Sequence, residues 1–363
     1  MKIEDVFTRA LQGDEISLEE AIFLYDNSPV PDLLSVANTI RFRKNPERRV
    51  SWQIDRNVNY TNVCISGCKF CNFHCTLSQR GLSYTTTIEE YRQKIDELIS
   101  YGGDQLLLQG GLHPHYDITF YEELFTKIKE IYPFIKLNAL GPPEVWHIAK
   151  LSKLTIEQTL TRLRAAGLDS LPGAGAEILS DRVRKTLSPG KPGVKAWADV
   201  MECAHKMNIS TTSTMVYGHI ETLSERMEHL IFLRDIQSRK PAESPGFRAF
   251  ICWPMQIKGT KLQMSDIVLK PTAVDHLKMV AISRILLNNI PHIQASWLTI
   301  GIESAKLALH CGADDMGSIM IEENVVSAAG ASNRASAKMI ERAITEAGFL
   351  PWLRNQDYTP RTV

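Results

Sequence analysis

A short β-rich run, a loop and an amphipathic helix follow one another about eight times along this chain, and that repetition limits its fold more tightly than any other feature. The β-rich runs lie near Tyr60–Val63, Gln105–Gln109, Ile135–Leu140, Ser170–Leu171, Ile209–Val216, Gly246–Ile251, Ile293–Leu298 and Ser318–Ile321. Between them the apolar period changes to that of a helix. After Thr87, residues Ile88, Tyr91, Ile95, Leu98 and Ile99 fall on one face. Thr87 with Glu90, Thr155 with Gln158 and Thr222 with Glu225 have the spacing of a capping box, and Gly102, Gly167 and Gly348 stand where helices stop. Strict alternation of strand and helix predicts an α/β fold with a parallel sheet and helices outside it. About eight units predict a closed (β/α)8 barrel of the TIM type, with an open doubly wound sheet as the rival arrangement.

Residues 1–50 read as an N-terminal helical extension. Ser17-Leu18-Glu19-Glu20 is a further capping box, Pro29 and Pro31 interrupt the helix it opens, and Leu33–Arg43 reads as another. Residues 51–363 read as the barrel with C-terminal helices, with no low-complexity linker and no second core.

Lys plus Arg equals Asp plus Glu, 41 each, so no global charge draws the chain to nucleic acid or to an anionic membrane. No stretch reaches the roughly 18 uncharged apolar residues of a membrane span, and the N-terminus lacks the apolar core of a signal peptide. The cytoplasm is the expected compartment. Seven cysteines there are mostly reduced, so clustered ones point to metal or catalysis.

Three of them do cluster. Cys64, Cys68 and Cys71 are spaced C-x3-C-x2-C on a loop just after the first expected strand, at the end of a barrel where active sites sit. Soft thiolates select iron–sulfur clusters or zinc. Three protein ligands leave one iron of a cubane open to a small chelating molecule. Cys75 follows at the next x3, so a closed four-cysteine site is the alternative, either an electron-transfer cluster or a structural zinc. Cys203, Cys252 and Cys311 are isolated and read as core residues.

The cysteine motif, with Phe70 before its last Cys, resembles the radical S-adenosylmethionine (SAM) superfamily. The resemblance narrows along almost the whole chain. Asn59–Cys71, Leu108–Leu112, Gly173–Leu179 and Thr212–Thr222 look like the branch that holds the futalosine-pathway menaquinone enzymes and the F420 deazaflavin synthases. Gln294–Trp297, Gly312–Ser318 and Met320–Asn324 are most similar to the cyclising enzyme of the futalosine route. Aminofutalosine synthase and the tyrosine-using deazaflavin synthase subunit are the sibling readings, and a non-catalytic cluster or zinc protein is the reading from another class. The chain departs from the family pattern at Ala174, at His74 and in Asn138–Glu144, where His and Ser are usual.

The resemblance implies a [4Fe–4S] cluster on Cys64, Cys68 and Cys71, SAM on its open iron, and a reductant such as flavodoxin or ferredoxin. It places Phe70 and Gln109-Gly110-Gly111 beside SAM, against the plainer reading of a tight turn. It gives Glu177 the SAM ribose or amine, and Arg182 or Arg184 the SAM carboxylate. Helix capping and surface exposure are the plainer readings of these three. Tyr217, His219 and Glu221 alternate along an expected strand, so they share a face that can look into the pocket for substrate recognition or proton transfer. His113, Glu144, Gln256, Gln294, Ser296 and Asp314 are weaker candidates for substrate contact. Phe250, Trp253 and Trp297 are candidate walls for an aromatic substrate. The implied small-molecule substrate is dehypoxanthine futalosine, cyclised by hydrogen abstraction from its sugar and closure onto its benzoate ring.

Overall fold

A computed structural model describes residues 1–79, 81–264 and 271–361. Among these residues one sheet of ten strands forms: β1 (Arg49–Gln53), β2 (Asp55–Val58), β3 (Gln105–Leu108), β4 (Lys136–Ala139), β5 (Ser170–Leu171), β6 (Ser210–Tyr217), β7 (Phe247–Pro254), β8 (His292–Gln294), β9 (Asp315–Ser318) and β10 (Leu350–Leu353). Its order is β10-β1-β9-β8-β7-β6-β5-β4-β3-β2, and every pairing is parallel.

The two ends of that order meet in the chain. Only Ile54 separates β1, which pairs with β9, from β2, which pairs with β3. The amides of Ile319 and Ile321 continue the β9 ladder onto the carbonyls of Gln53 and Asp55, at 3.2 and 3.3 Å. With β1 and β2 taken as one bent strand and β10 as its outer neighbour, the ten strands make an eight-membered ring. The expected α/β barrel is therefore present, and all its strands point their C-terminal ends the same way.

The helices start where their caps predicted. Thr87 with Glu90, Thr155 with Gln158, Thr222 with Glu225 and Ser17 with Glu20 each form a reciprocal capping box. The helices Ile3–Gln12, Leu18–Asn27 and Val30–Lys44 precede the barrel and lie over its outer helices. Arg234 donates to the Ile16 carbonyl at 3.0 Å, and Lys278 sits 4.2 Å above the Tyr25 ring. The third of these helices begins at Val30, before the expected Leu33, and so takes in Pro31. Pro31 occupies the first turn, where a missing amide costs nothing.

Three strand expectations need correction, and one strand was missed. Tyr60–Val63 is a loop, bridged to Thr85 and Cys75, and the strand before it is β2. Its inward residues are Asp55 and Asn57, and its outward Arg56 pairs with Glu97 and Glu322, so no apolar alternation marks it. The run Ile293–Leu298 is β8 for two residues, and then Trp297–Ile300 turns helical. Ser318–Ile321 only begins at the end of β9. β10, with Pro351 inside it, was not foreseen.

At the N-terminal end of the ring the chain closes its own floor. Arg354 bonds Asp315 at 2.6 Å, Tyr358 stacks 3.9 Å from His292, and Arg361 pairs with Asp104 and bonds the Gly102 carbonyl at 2.6 Å. Among the described residues no helix is long and apolar enough to cross a membrane.

Candidate active site

The loop that leaves β2 runs across the C-terminal mouth of the ring. Ser66 is the buried centre of its cysteine segment. Its hydroxyl lies 2.9 Å from the Cys64 sulfur and 3.3 Å from the Cys68 sulfur. Backbone amides of Leu112 and Ser66 point at the Cys64 sulfur at 3.3 and 3.5 Å. Hydrogen-bonding groups around a sulfur are the usual outer surroundings of a metal-bound thiolate and orient it. Cys75 is held differently. Its amide bonds the Asn62 carbonyl at 2.9 Å and its carbonyl receives the Cys64 amide at 3.0 Å, so it bridges the two arms of the loop.

Two neighbouring loops dock on this segment. After β3, the Gly111 amide bonds the Thr61 carbonyl at 3.0 Å, and Ile65 bonds the Leu112 carbonyl at 3.1 Å. A Cβ on Gly111 would stand 2.0 Å from the Val63 oxygen, and one on Gly110 would stand 2.7 Å from the Tyr60 ring. The glycine pair is thus required by the approach of the cysteine loop itself. On the other flank, Gly190 bonds the Ser66 carbonyl at 2.9 Å and Lys69 bonds the Leu187 carbonyl at 2.8 Å.

Lys191, next in that flank, was not singled out in the sequence. Its ammonium lies 2.7 Å from Glu177 and 5.6 Å from the centroid of Phe70. Burial alone would lower its pKa, but the Cys68 sulfur and the Glu177 carboxylate beside it overcome burial and raise it. Glu177 is held in the left-handed region, with φ 44°. Burial would raise its carboxyl, yet Lys191 and Arg184 hold it below the usual value. Phe70, Glu177 and Lys191 therefore stand together against the cysteine loop. The two arginines do not offer a free guanidinium there. Arg184 is buried and donates to the carbonyls of Pro192, Gly175 and Ala176 at 2.9, 2.8 and 2.9 Å. Arg182 is exposed and forked onto Glu225 at 2.9 and 2.6 Å.

Tyr217, His219 and Glu221 do not share the expected face. β6 ends at Tyr217, whose hydroxyl turns outward to His276 Nδ1, 2.9 Å away on the helix Ala273–Leu286. Gly218, with φ 87°, then reverses the chain. Glu221 accepts the amides of Gly218 and His219 at 2.6 and 2.9 Å, and takes Arg226 at 2.7 Å and His219 Nδ1 at 2.8 Å. Burial would raise this carboxyl, but His219 and Arg226 bring it down to about 2. Such a group is a tight-turn anchor and a weak proton acceptor near neutral pH.

The remaining candidates scatter. Asp314 precedes β9 at the floor, paired with Arg284 at 2.8 Å and His292 at 3.0 Å, so it is remote from the cysteine loop. Glu144 is buried and already accepts Tyr60 at 2.8 Å and the amides of Gly110 and Gly141. Burial pushes its carboxyl up. His113 stacks 3.6 Å from Tyr116, and Ser296 precedes the short helix Trp297–Ile300, its hydroxyl 3.0 Å from that of Thr299. Gln256 borders a cavity of about 410 Å3 beyond β7, with Lys258, Thr272 and His276.

Ladder register identifies what faces inward. Arg56 and Tyr217 reach outer helices, so their strand neighbours point into the ring. Asn57, Leu107 and Asn138 align there, as do Val216 with Trp253 and Ile251 with Gln294. Leu107, Gln109, Thr212, Val216, Trp253 and Gln294 are only half-buried although strands surround them, which marks open space in the upper half of the ring. Of the three expected aromatic walls, Trp253 lies on this face. Phe250 packs outward near His229, and Trp297 is buried, bonding the Ser318 carbonyl at 3.0 Å.

Residues 58–233 match the family described as the radical SAM superfamily, and residues 244–363 match the CofH/MqnC C-terminal region. Cyclic dehypoxanthine futalosine synthase of Streptomyces coelicolor is 41% identical over 358 residues, covering 98% of this chain and 88% of the relative. The chain belongs to the radical SAM superfamily. The Halalkalibacterium halodurans protein of the same name is 40% identical over 99% of this chain and 95% of its own length. A 5-amino-6-(D-ribitylamino)uracil–L-tyrosine 4-hydroxyphenyl transferase of Methanosarcina barkeri is 38% identical over 98% and 91%. Among solved structures, the hydrogenase maturase HydG has a TM-score of 0.75 at 16% identity, covering 98% of this chain and 76% of that one. Methylornithine synthase has 0.71 at 18%, covering 95% and 97%. These last two likenesses concern the fold.

As a radical SAM enzyme the chain works with a [4Fe–4S] cluster and SAM. Its donor set fits them. Cys64, Cys68 and Cys71 supply three soft thiolates on one loop, and hydroxyl and amide donors already face the sulfurs. Among the described residues no three His, Cys, Asp or Glu converge as ligands of a single ion. A cubane, which places each thiolate on its own iron, does not need them to.

Proposed function

We propose that this chain is the radical SAM cyclase that converts dehypoxanthine futalosine to its cyclic product in menaquinone biosynthesis. What carries the reading is identity of 41% and 40%, almost end to end, to two proteins bearing that synthase's name. The transferase relatives at 36% to 38% favour a second reading, transfer of a tyrosine-derived group to a pyrimidine.

The cluster with SAM supplies one-electron cleavage of the sulfonium and thereby a radical able to take a hydrogen from the substrate's sugar. The chain's share is placement. Cys64, Cys68 and Cys71 hold the cluster, in the three-cysteine spacing of the superfamily. Lys191 takes the role that the sequence offered to Arg182 or Arg184. Its ammonium beside Cys68, Glu177 and Phe70 suits the carboxylate of SAM, and Glu177 suits its ribose or amine. Gln109, Thr212 and Gln294 supply polar contacts in the half-open interior, and Trp253 supplies a flat apolar wall for the benzoate ring. Enclosure by the ring keeps water and stray hydrogen donors from the carbon radical. A reductant such as flavodoxin or ferredoxin supplies the electron.

The test is anaerobic reconstitution with reductant and SAM, offering dehypoxanthine futalosine in one vessel and tyrosine with 5-amino-6-(D-ribitylamino)uracil in another. Mass spectrometry is expected to find the cyclised product in the first alone. Coupled product in the second vessel, with none in the first, establishes the transferase instead. In parallel, Cys75→Ser is expected to keep its iron content and its SAM-dependent electron paramagnetic resonance change. Loss of both refutes the three-ligand site.

A further inference from the structure

The segment that carries the cysteines is a single layer of chain between the cluster site and solvent. Ser66 and Cys68 are buried and Cys64 is half-buried, whereas Ile65, Gly67 and Lys69 between and beyond them are exposed. The outer side is unusually apolar for a surface loop. Ile65 is 54% exposed, Leu77 45% and Leu82 67%, so three large apolar side chains of the loop that carries the metal ligands face water.

Lysines predominate along one margin of that patch, although Asp181 is exposed one helical turn from Lys185. The Leu262 amide bonds the Lys69 carbonyl at 3.2 Å, the Lys69 amide bonds the Leu187 carbonyl at 2.8 Å, and Asn72 bonds the Lys258 carbonyl at 3.0 Å. These bonds gather Lys69, Lys185, Lys258 and Lys261, all exposed, along one margin of the loop. The three segments involved hold no acid: none lies between Asp55 and Glu89, between Asp181 and Asp199, or between Glu243 and Asp266. Asp266 itself lies outside the described residues. The whole chain nevertheless carries 41 acids and 41 bases, so the segregation is local. Two acids approach from the loop after β9, and both are committed. Glu322 pairs with Arg56 and Lys94, and Glu323 accepts the amides of Val325, Val326 and Ser327.

We propose that this face is the docking surface for an acidic one-electron carrier protein, whose electron enters the cluster across the Cys64–Cys68 segment. An apolar centre with a charged rim is the usual build of a transient protein interface, and a lysine margin steers an acidic partner onto it. The carrier is oxidised by one electron and the cluster is reduced by one, with no bond made or broken and no atom exchanged between the proteins. The loop is only one layer thick, so the carrier's redox group comes close to the cluster without any part of the barrel opening.

The experiment follows cluster bleaching by anaerobic stopped-flow in the reconstituted full chain, with flavodoxin hydroquinone or dithionite as reductant. Lys185→Glu/Lys261→Glu is expected to lower the second-order rate with flavodoxin about tenfold at low ionic strength and to flatten its fall with added salt. Reduction by dithionite, a small anion that needs no docking surface, is expected to fall far less. Leu77→Asp tests the apolar centre in the same way, and Lys127→Glu, on a remote helix, leaves both rates unchanged. Equal flavodoxin rates for the native chain and the double variant at every salt concentration overturn the proposal. So does a parallel fall with dithionite, because that reports damage to the cluster.

Discussion

At the scale of single residues, burial separates groups that hold the site from groups free to act in it. Glu221 illustrates this. With its carboxylate bound by two amides, His219 and Arg226, it anchors the turn that ends β6. An unperturbed carboxyl titrates near 4.5 and this one at about 2. A pKa lowered by folding adds stability that is complete above about pH 4.5 and is lost as pH falls toward about 2. Glu221→Gln removes the buried pairing and is expected to cost roughly 3 kcal/mol at neutral pH. The deficit narrows in acid, as the native carboxyl itself becomes protonated. Urea unfolding of both proteins at pH 7, 5 and 3 measures it, and a deficit that grows toward pH 3 contradicts the anchor role. The same distinction explains which site residues the sequence disclosed. Cys64, Cys68 and Cys71 announce themselves by spacing, and Glu177 only through the family resemblance. Lys191 does not, because its meaning lies in Cys68 and Glu177, which only the fold brings to it.

At the scale of elements, the approach of loops matters more than the loops alone. Gly111 is the tightest case, since a methyl group there would meet the Val63 carbonyl oxygen at 2.0 Å and Cys64 Cβ at 2.8 Å. Backbone cannot rotate aside as a flexible side chain can, so Gly111→Ala has to push the cysteine loop outward. Overpacking of this kind costs about 1–3 kcal/mol. The expected outcome is a folded chain with normal far-ultraviolet circular dichroism that retains less iron after reconstitution and loses it faster to a chelator. Iron retention equal to the native chain means that the loop yields freely and that its position is not what Gly111 protects. Helices were legible in the sequence because capping boxes and the 3.6-residue period are local signals. Strands were legible where one face is apolar. They were missed at β1 and β2, whose inward side carries Ser51, Gln53, Asp55 and Asn57, and at β10, which Pro351 disguised. A ring that keeps open space inside it has polar residues on the face where a solid core would have apolar ones, and this weakens the periodic signal near the site.

At the scale of the whole molecule, the C-terminal segment makes one end of the ring a floor and leaves the other as the mouth. Asp315 sits fully buried at the start of β9, hydrogen-bonded by Ser51 and ion-paired with Arg354. Asp55, deeper in the same layer, is kept above the usual carboxylate range by burial, although Ser318, Gln53 and Gln105 all reach it. Arg354 is thus the cation paired with a second buried carboxylate, Asp315, in that interior. Tyr358 covers it from below, its ring 3.9 Å from the guanidinium carbon. Removing one member of a buried pair costs roughly 3–5 kcal/mol, because the other charge is left unpaired in a poor solvent. Arg354→Leu is therefore expected to lower the midpoint of thermal unfolding by roughly 6–15 °C, given the few degrees per kcal/mol of a chain this size. Replacing both charges is a different perturbation. Arg354→Leu/Asp315→Asn leaves no buried unpaired ion, so it is expected to be more stable than Arg354→Leu alone, and the double-mutant cycle gives a coupling well above the few tenths of a kcal/mol of independent sites. The mouth lies at the opposite ends of the strands, so both variants are expected to retain the SAM-dependent change in the spectrum of the reduced cluster. Additive losses in the cycle would mean that Arg354 and Asp315 do not act as a pair. Loss of the SAM response in the single variant would mean that floor and mouth are mechanically one unit.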